Sequence, residues 1–243
     1  MKKNQIISII VLALLALLVL AANMWRRHQQ VKGVRVDIDY CGSDTLVTAQ
    51  QVESLIIDSI PGLLSKQLRE VDVAQVEQVV ATSPYLYDCK ATKSIGGNVM
   101  AFASQRRPII RVCASEEYYL DAMGCRLPCS SVGSCDVIVA SGHIPAKGKG
   151  QKEVWTLAAY LDSHPDLSPL FDQIYRDAKG DLYLTPKLGN HLVQVGNVER
   201  LDDKFHNLIA FYTRGLTQVG WDKYSQVSVK YRGQVVCTKR KTS

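Results

Sequence analysis

The chain has 243 residues, of which 47% are apolar and 21% are charged, values that are ordinary for a globular protein. This composition excludes an intrinsically disordered chain and allows one large domain or two smaller ones. The net charge of +6 comes from basic residues scattered over the chain. It predicts a mildly basic, solvated surface and excludes a dedicated nucleic-acid groove.

The first segment of the chain is strongly apolar, with no charged residue from Ile6 to Trp25. About twenty helical residues rise roughly 30 Å, the thickness of the hydrocarbon core of a bilayer. A cleaved signal peptide fits less well, because no pair of small residues stands at suitable positions for a cut. More basic residues follow the span than precede it, so loop charge alone would keep the C-terminal side inside. Long domains, however, translocate largely regardless of nearby charge. The predicted order is a cytoplasmic tail (1–5), a transmembrane helix (6–25) and a juxtamembrane linker (26–33).

After the anchor, strand and helix signals follow in the order β-α-α-β-β, which predicts a small α+β domain over 34–112. Thr48 and Gln51 form a capping box that starts the first helix, and Asp72 caps the second. Alternation of apolar and polar residues marks the strands. The three predicted strands are Val34–Tyr40, Tyr85–Ser94 and Asn98–Gln105.

The remainder, residues 113–243, predicts a β-rich domain with a sheet backed by helices. Ile109–Ala114 is expected to be a strand that joins the two domains. Further strands are predicted at Tyr118–Asp121, Asp136–Ala140, Asp181–Thr185 and His191–Val195. Helices are predicted at Lys152–Leu161, about Leu170–Asp177, and Leu201–Thr217.

The chain carries no sequence motif that indicates catalysis. It contains no His-Glu-x-x-His, nucleophile elbow, phosphate loop or dinucleotide-binding motif. Of its seven cysteines, Cys125, Cys129 and Cys135 cluster, but they lack a nearby histidine and fit zinc-site spacing poorly. Buried thiols and disulfides both stay open, although an odd number leaves one cysteine without an intrachain partner. The sequence therefore predicts no catalytic residue, metal site, cofactor or small-molecule substrate.

The last stretch, Tyr224–Arg240, predicts a β-hairpin that turns at Arg232 and Gly233. On its first strand, Val227, Val229 and Tyr231 share the face predicted to be buried. No later element covers the second strand, which is predicted over 234–239. An uncovered strand edge is a template for pairing with another chain, so proteins either blunt it or use it.

These features, taken in order, resemble the bacterial FtsQ/DivIB cell-division family, in which an anchor precedes a POTRA module and a β domain. The POTRA module of the family ends on Glu-Arg-x-Pro, matched here by Gln105–Pro108, although Gln105 replaces the usual acid. The next strand of the family ends in Asp-x-x-Gly, matched by Asp121–Gly124. Lys187–Gly196 resembles a hairpin of the family, and Leu201–Tyr212 resembles its helix before the closing strands.

The resemblance implies a non-enzymatic scaffold of the divisome, in the inner membrane at the division septum, with its domains in the periplasm. It implies FtsB and FtsL as partners, and a connection to FtsK, FtsW and FtsI. It further implies that the closing strand receives a strand of FtsB. The partner-binding residues predicted on this basis are Tyr231, Gln234, Val235, Val236, Cys237, Thr238 and Lys239.

A second surface is expected from the same resemblance at Gln105, Arg106 and Arg107, near the motif that helps recruit partners in the family. The alternative is that Arg106, Arg107 and Pro108 only end a strand, since proline has no amide to donate. Two other classes of protein also remain open. One is a POTRA-containing component of envelope assembly or secretion, and the other is a membrane-anchored envelope enzyme.

Overall fold

The computed structural model describes residues 11–18, 20, 29–40, 42, 44–216 and 220–240. The chain divides into two compact units, with the division between Arg106 and Arg107. This point precedes the predicted boundary at residues 112 and 113, because Pro108–Cys113 pairs with strands of the second unit. The two units are called the first and the second unit below.

The predicted transmembrane helix is described only in part. Residues 11–18 and 20 are helical, and their leucine side chains are exposed. Across the described parts of the chain, none of the helices combines the length and the apolar character needed to span a bilayer. The rest of 6–25, the predicted tail 1–5 and residues 26–28 of the predicted linker lie outside the described residues.

The first unit has the predicted β-α-α-β-β order. Its elements are β1 (Gly33–Asp39), α1 (Ala49–Ser59), α2 (Val73–Ala81), β2 (Leu86–Lys93) and β3 (Asn98–Gln105). Within the described residues they form a three-stranded sheet in the order β1-β3-β2, with β1 parallel and β2 antiparallel to the central strand. Short 3₁₀ turns at Leu63–Ser65 and Leu68–Glu70 connect the helices.

Both helices of the first unit begin where the capping residues predict. The Thr48 hydroxyl accepts a hydrogen bond from the Gln51 amide, and the Gln51 side chain accepts one from the Thr48 amide. The Asp72 carboxylate accepts from the Ala74 amide, 2.9 Å away. The helices then bury one apolar stripe each against the sheet. The buried residues of the two stripes are Val52, Ile56, Val76 and Val80.

The second unit is built around one large mixed sheet. Its strands are β4 (Pro108–Cys113), β5 (Glu117–Asp121), β6 (Arg126–Pro128), β7 (Ile138–Gly142), β8 (Phe171–Arg176), β9 (Leu182–Pro186), β10 (Leu192–Gly196), β11 (Tyr224–Ser228) and β12 (Val236–Lys239). Its helices are α3 (Lys149–Asp162) and α4 (Leu201–Phe211); a 3₁₀ turn (Ser168–Leu170) precedes β8 and a π-helical turn (Tyr212–Leu216) follows α4. Among the described residues the strand order is β12-β11-β10-β9-β8-β7-β4-β5-β6.

The two faces of this sheet differ in polarity. On one face, α3 and α4 share a hydrophobic core with the strands, to which Leu157, Leu208, Ile174, Val193 and Val227 contribute. The alternate strand residues point to the opposite face, which carries a polar network. Its hydrogen bonds join Gln194 to Asp181 and Tyr183, Gln226 to Gln194, and Gln173 to Ser141. The sheet is therefore backed by helices on one face, as predicted.

The prediction of a helix at about Leu170–Asp177 is wrong, because residues 171–176 form strand β8. Phe171 and Ile174 are both buried, and their spacing of three residues suits one face of a helix. The pairing with β9 shows an irregular register between Phe171 and Gln173. A β-bulge at this point brings residues three apart to the same face of a strand. The bulge therefore produced a helical spacing in a strand.

The Asp-x-x-Gly stretch at the end of β5 is a turn held by one carboxylate. Asp121 Oδ1 accepts hydrogen bonds from the amides of Met123, at 2.9 Å, and Cys125, at 2.7 Å. Gly124 has a φ of +79°, and a Cβ there would touch the Trp155 ring. The Trp155 indole in turn donates to the Asp121 carbonyl. These residues shape the turn and fix α3 against it, which is a structural role.

Candidate partner-binding edge

Strand β12 occupies one edge of the nine-stranded sheet. It pairs antiparallel with β11, and no other strand in the described part of the chain lies beside it. The predicted hairpin is confirmed, with the second strand beginning at Val236 instead of Gln234. Gln234 and Val235 lead into the strand, while the remaining residues of the predicted 234–239 lie in it.

The direction of the backbone groups follows from two contacts. The Arg240 amide donates to the Lys223 carbonyl, and the Thr238 carbonyl accepts from the Ser225 hydroxyl. In an antiparallel strand, the N–H and C=O groups of one residue both point toward the neighbouring strand, and those of the next residue both point away from it. Val236 and Thr238 therefore face β11, whereas Cys237 and Lys239 direct their N–H and C=O groups outward. An outward N–H and C=O pair is what an added strand requires.

The side chains of β12 divide between the core and solvent. Val235 and Cys237 pack against the core of the second unit, which fixes the strand in place. Val236 is 45% exposed, and Thr238 and Lys239 are also exposed. Burial raises the pKa of the Cys237 thiol, so this cysteine stays protonated and behaves as a small apolar side chain. The edge thus offers a backbone ladder beside one exposed apolar side chain.

Tyr231 lies in the turn of the hairpin and not on the buried face predicted for it. Strand β11 ends at Ser228, so the alternation that buries Val227 and Val229 does not extend to Tyr231, which is 55% exposed. The Gln234 amide donates to the Tyr231 carbonyl, and Gly233 has a φ of +66° in this turn. Tyr231 is consequently an exposed aromatic side chain in the turn that precedes β12.

Near the turn, a lysine ties the hairpin to the polar face of the sheet. Lys230 Nζ lies 2.7 Å from Asp181 Oδ2, and this hydrogen bond raises the pKa of Lys230. Gly196 makes room for the lysine, because a Cβ at that position would lie 2.7 Å from Lys230 Cγ. The sequence analysis missed this contact, since Asp181 and Lys230 are far apart in the chain and neither stands in a motif.

The opposite end of the hairpin rests on a buried aromatic cluster. His191 is 2% exposed, its Nε2 lies 2.8 Å from the Tyr212 hydroxyl oxygen, and Trp221 packs beside both rings. Burial, and to a lesser extent the charge of Arg240, lowers the pKa of His191. Arg240 also donates to the Asn190 carbonyl. These contacts hold the chain end that follows β12.

The second expected surface, at the end of β3, is mostly internal. Gln105 is 1% exposed; its Oε1 accepts from the Leu46 amide at 2.7 Å, and its Nε2 donates to the Asp44 carbonyl at 2.8 Å. Arg106 lies over the Tyr87 ring. These contacts connect Gln105 to the loop before α1, so the glutamine has a stabilising role within the first unit.

Arg107, the first residue of the second unit, is exposed, and its side chain forms an ion pair. Its guanidinium forms two hydrogen bonds to the Asp162 carboxylate at the end of α3, one of them 2.8 Å long. Such a bidentate pair fixes the orientation of the arginine. Of the three residues in the expected recruitment surface, Arg106 and Arg107 are thus the ones whose side chains reach solvent.

The sequence alone does not decide whether the cysteines are thiols or form disulfides. Cys41 lies outside the described residues, Cys135 is buried, and Cys89, Cys113, Cys125 and Cys237 are free thiols. Within the described ranges, no group of three or more His, Cys, Asp or Glu side chains is placed to hold a metal ion.

A protein-family model described as FtsQ/DivIB, C-terminal related, matches residues 107–238. The match begins at the first residue of the second unit and extends into β12. No curated protein sequence matches the chain. Because the family model covers more than half of the 243 residues, the chain belongs to the FtsQ/DivIB family.

Proposed function

We propose that this protein is a non-enzymatic scaffold of the division machinery that binds FtsB, and with it FtsL, by adding a strand of FtsB to β12. Membership in the FtsQ/DivIB family supports a role in cell division. The observation that carries the proposal is the open outer side of β12, where Cys237 and Lys239 direct their backbone groups away from β11.

The proposal extends to the location and the wider set of partners. Residues 6–25 anchor the chain in the inner membrane, the first unit serves as a POTRA module, and both units work in the periplasm at the septum. The uncharged run from Ile6 to Trp25 supports the anchor. Through these units the protein helps to connect FtsK with FtsW and FtsI, a part of the proposal that membership in the FtsQ/DivIB family supports.

The binding energy has a backbone part and a side-chain part. Cys237 and Lys239 supply one donor and one acceptor each, so an added strand gains about four hydrogen bonds at about 0.5–1.5 kcal/mol net each. The resulting few kcal/mol are offset in large part by the entropy lost on association. Exposed side chains at the edge, Val236 and Tyr231, must therefore contribute to the affinity.

The proposal is tested by a proline that removes an outward amide only. Lys239→Pro deletes an N–H that points to solvent, and proline is tolerated on an edge strand. Lys239→Ala is the matched control, because it removes the same charge and keeps the amide. Proline at Val236 is less informative, since that amide faces β11 and its loss would disturb the hairpin itself.

In calorimetric titration with the periplasmic segment of FtsB, we expect Lys239→Pro to weaken binding about ten-fold relative to Lys239→Ala, the loss of roughly one well-formed backbone bond. Unchanged thermal unfolding of the proline variant would show that the hairpin persists. Equal affinities of the two variants would contradict strand addition at β12.

A recruitment surface at Arg106 and Arg107 is a second proposal, tested by exchange of charges. Arg107→Glu alone both reverses the surface charge and breaks the pair with Asp162. Combining it with Asp162→Arg restores a pair of opposite polarity. Septal localisation that is lost in the single variant and not regained in the double variant supports a surface contact. Restoration by the double variant assigns the arginine to internal stability.

A further inference from the structure

The three-stranded sheet of the first unit also has two edge strands. On each of them, a glutamate side chain accepts a hydrogen bond from a backbone amide. Glu77, from α2, accepts a hydrogen bond from the Ala91 amide of β2, with a distance of 2.8 Å to Oε1. Glu53, from α1, accepts one from the Val36 amide of β1, at 3.2 Å. The side chain of each glutamate thus extends from its helix to an edge strand of the sheet.

The Ala91 amide points away from the sheet, which follows from the pairing of β2 with β3. The Ser94 amide donates to the Asn98 carbonyl of β3, so residue 94 faces the sheet. Alternation then places residues 92 and 90 toward β3 and residues 91 and 93 outward. Glu77 therefore occupies the position that the carbonyl oxygen of an incoming strand would need. A carboxylate there both fills the site and repels the negative end of that carbonyl.

Two further features shorten the part of β2 that could pair. The register of β2 with β3 shifts between Tyr87 and Lys90, and Asp88 within this irregularity has a positive φ of 49°. At the other end, Lys93 Nζ donates to the Arg69 carbonyl, at 2.9 Å, so its side chain is held along the unit. Bulges and charged side chains are the usual means by which proteins prevent edge-to-edge pairing.

We infer that Glu77 excludes added strands from β2, and that Glu53 does so at β1, so that a second copy of this chain cannot pair with the first unit through its sheet edges. The two glutamates act as specificity determinants, because they close edges that would otherwise compete for extended chains. That β12 is the edge left for a partner rests on the proposed function; the closure of β2 does not.

The decisive comparison is between Glu77→Ala and Glu77→Gln in the full-length chain. Glutamine keeps an oxygen that can accept from the Ala91 amide, whereas alanine leaves this amide without an acceptor. Alanine also favours the helix, so α2 is expected to persist. Glu77→Asp serves as a second variant if alanine impairs folding, since it keeps the charge and draws the acceptor back by one methylene.

Two measurements are made on the wild type and each variant: hydrogen exchange at the Ala91 amide, and sedimentation equilibrium over a range of protein concentrations. We expect exchange at Ala91 to be about ten-fold faster or more with alanine than with glutamine. We also expect concentration-dependent dimers in Glu77→Ala beyond those of wild type and Glu77→Gln. Titration with FtsB, performed in parallel, reports on β12 and keeps failure of the proposed function separate.

Either of two results would overturn the inference. Unchanged exchange at Ala91 in Glu77→Ala would mean that the carboxylate does not protect this amide in solution. Fast exchange without added self-association would mean that the edge is closed by the bulge and Lys93, and that Glu77 does not determine specificity. Glu77→Asp is judged by the same two criteria if the alanine variant does not fold.

Discussion

The strand end at Gln105 and the edge strand β12 differ in what each offers to solvent. Both hydrogen-bonding functions of the Gln105 amide are used inside the first unit, and the side chain is 1% exposed. At β12, by contrast, Cys237 and Lys239 present backbone groups that no described strand accepts. A stretch whose polar groups are satisfied within its own unit stabilises that unit, whereas an added strand can form backbone hydrogen bonds only with groups that the fold leaves unpaired.

The two edges of the nine-stranded sheet show the same contrast within one unit. Strand β6 spans only Arg126–Pro128, and its last residue is a proline, which removes a backbone donor. Its first residue, Arg126, carries a charge and lies over the Tyr118 ring, with Cζ 3.8 Å from the ring centroid. Shortness, proline and charge are devices that blunt an edge. Strand β12 (Val236–Lys239) is also short, but it contains no proline, its charge stands at its last residue, and its apolar Val236 is exposed.

The largest effect is expected from removing β12. Truncation after Gly233, which deletes residues 234–243, should weaken FtsB binding at least about 30-fold, because about four backbone bonds are worth roughly 2–6 kcal/mol. Truncation after Arg240 is the matched control, since it keeps β12. Binding is measured by titration and folding of the first unit by hydrogen exchange. A folded truncation that bound FtsB as the control does would remove β12 from the binding site.

A smaller effect is expected at Gln105, where a substitution should change the stability of the first unit and not the binding of FtsB. Gln105→Ala removes the two hydrogen bonds of this buried side chain, to the Leu46 amide and the Asp44 carbonyl, which should destabilise the first unit by about 1–3 kcal/mol in urea unfolding. Ser104→Ala, next to it on β3, is the control. FtsB affinity should be unchanged in both variants. A Gln105→Ala protein of normal stability would return this residue to the candidates for direct recruitment.

Much of this contrast could be predicted from local sequence signals. The capping box at Thr48, the cap at Asp72 and the alternation in Tyr224–Arg240 depend on neighbours in the chain, and the structure confirms the elements that they predict. The same kind of local pattern predicted the hairpin, whose second strand lies at an edge of the sheet in the described part of the chain. The family resemblance, confirmed over residues 107–238, then supplied the expected partner.

The features that the sequence did not predict depend on tertiary contacts or lack a clear local pattern. Gln105 looked like a surface position because its two partners, Asp44 and Leu46, lie about sixty residues earlier in the chain. The bulge in β8 gave Phe171 and Ile174 a helical spacing. The three-residue strand β6 was too short to show an alternation. The sequence analysis missed Glu53 and Glu77, because neither stands in a motif and the strands that they contact are brought to them by the tertiary fold.

A pH effect is expected for the second unit because of the buried histidine beside the hairpin. Burial lowers the pKa of His191 below its ordinary value of 6.5, so the unfolded chain takes up a proton before the folded one as the pH falls. The contribution to stability is therefore complete above the unfolded pKa and is lost progressively below it. Urea midpoints at about pH 7.5 and 5.5 measure the slope. His191→Gln should flatten it and exposed His206→Gln should not; equal slopes in all three proteins would exclude His191 as the cause.

The smallest effect concerns the charge at the open edge. Lys239 and Arg232 are exposed on β12 and in its turn, and an exposed ion pair contributes only about 0.2–1 kcal/mol. If the FtsB segment is acidic where it meets them, affinity should fall a few-fold between about 50 and 300 mM salt, as screening shortens the range of the attraction. Lys239→Gln and Arg232→Gln should each reduce this salt dependence, whereas Lys179→Gln, in the exposed turn before β9, should leave it unchanged. A backbone ladder is nearly insensitive to salt, so an affinity independent of salt in every variant would leave strand addition intact and eliminate the basic residues from recognition.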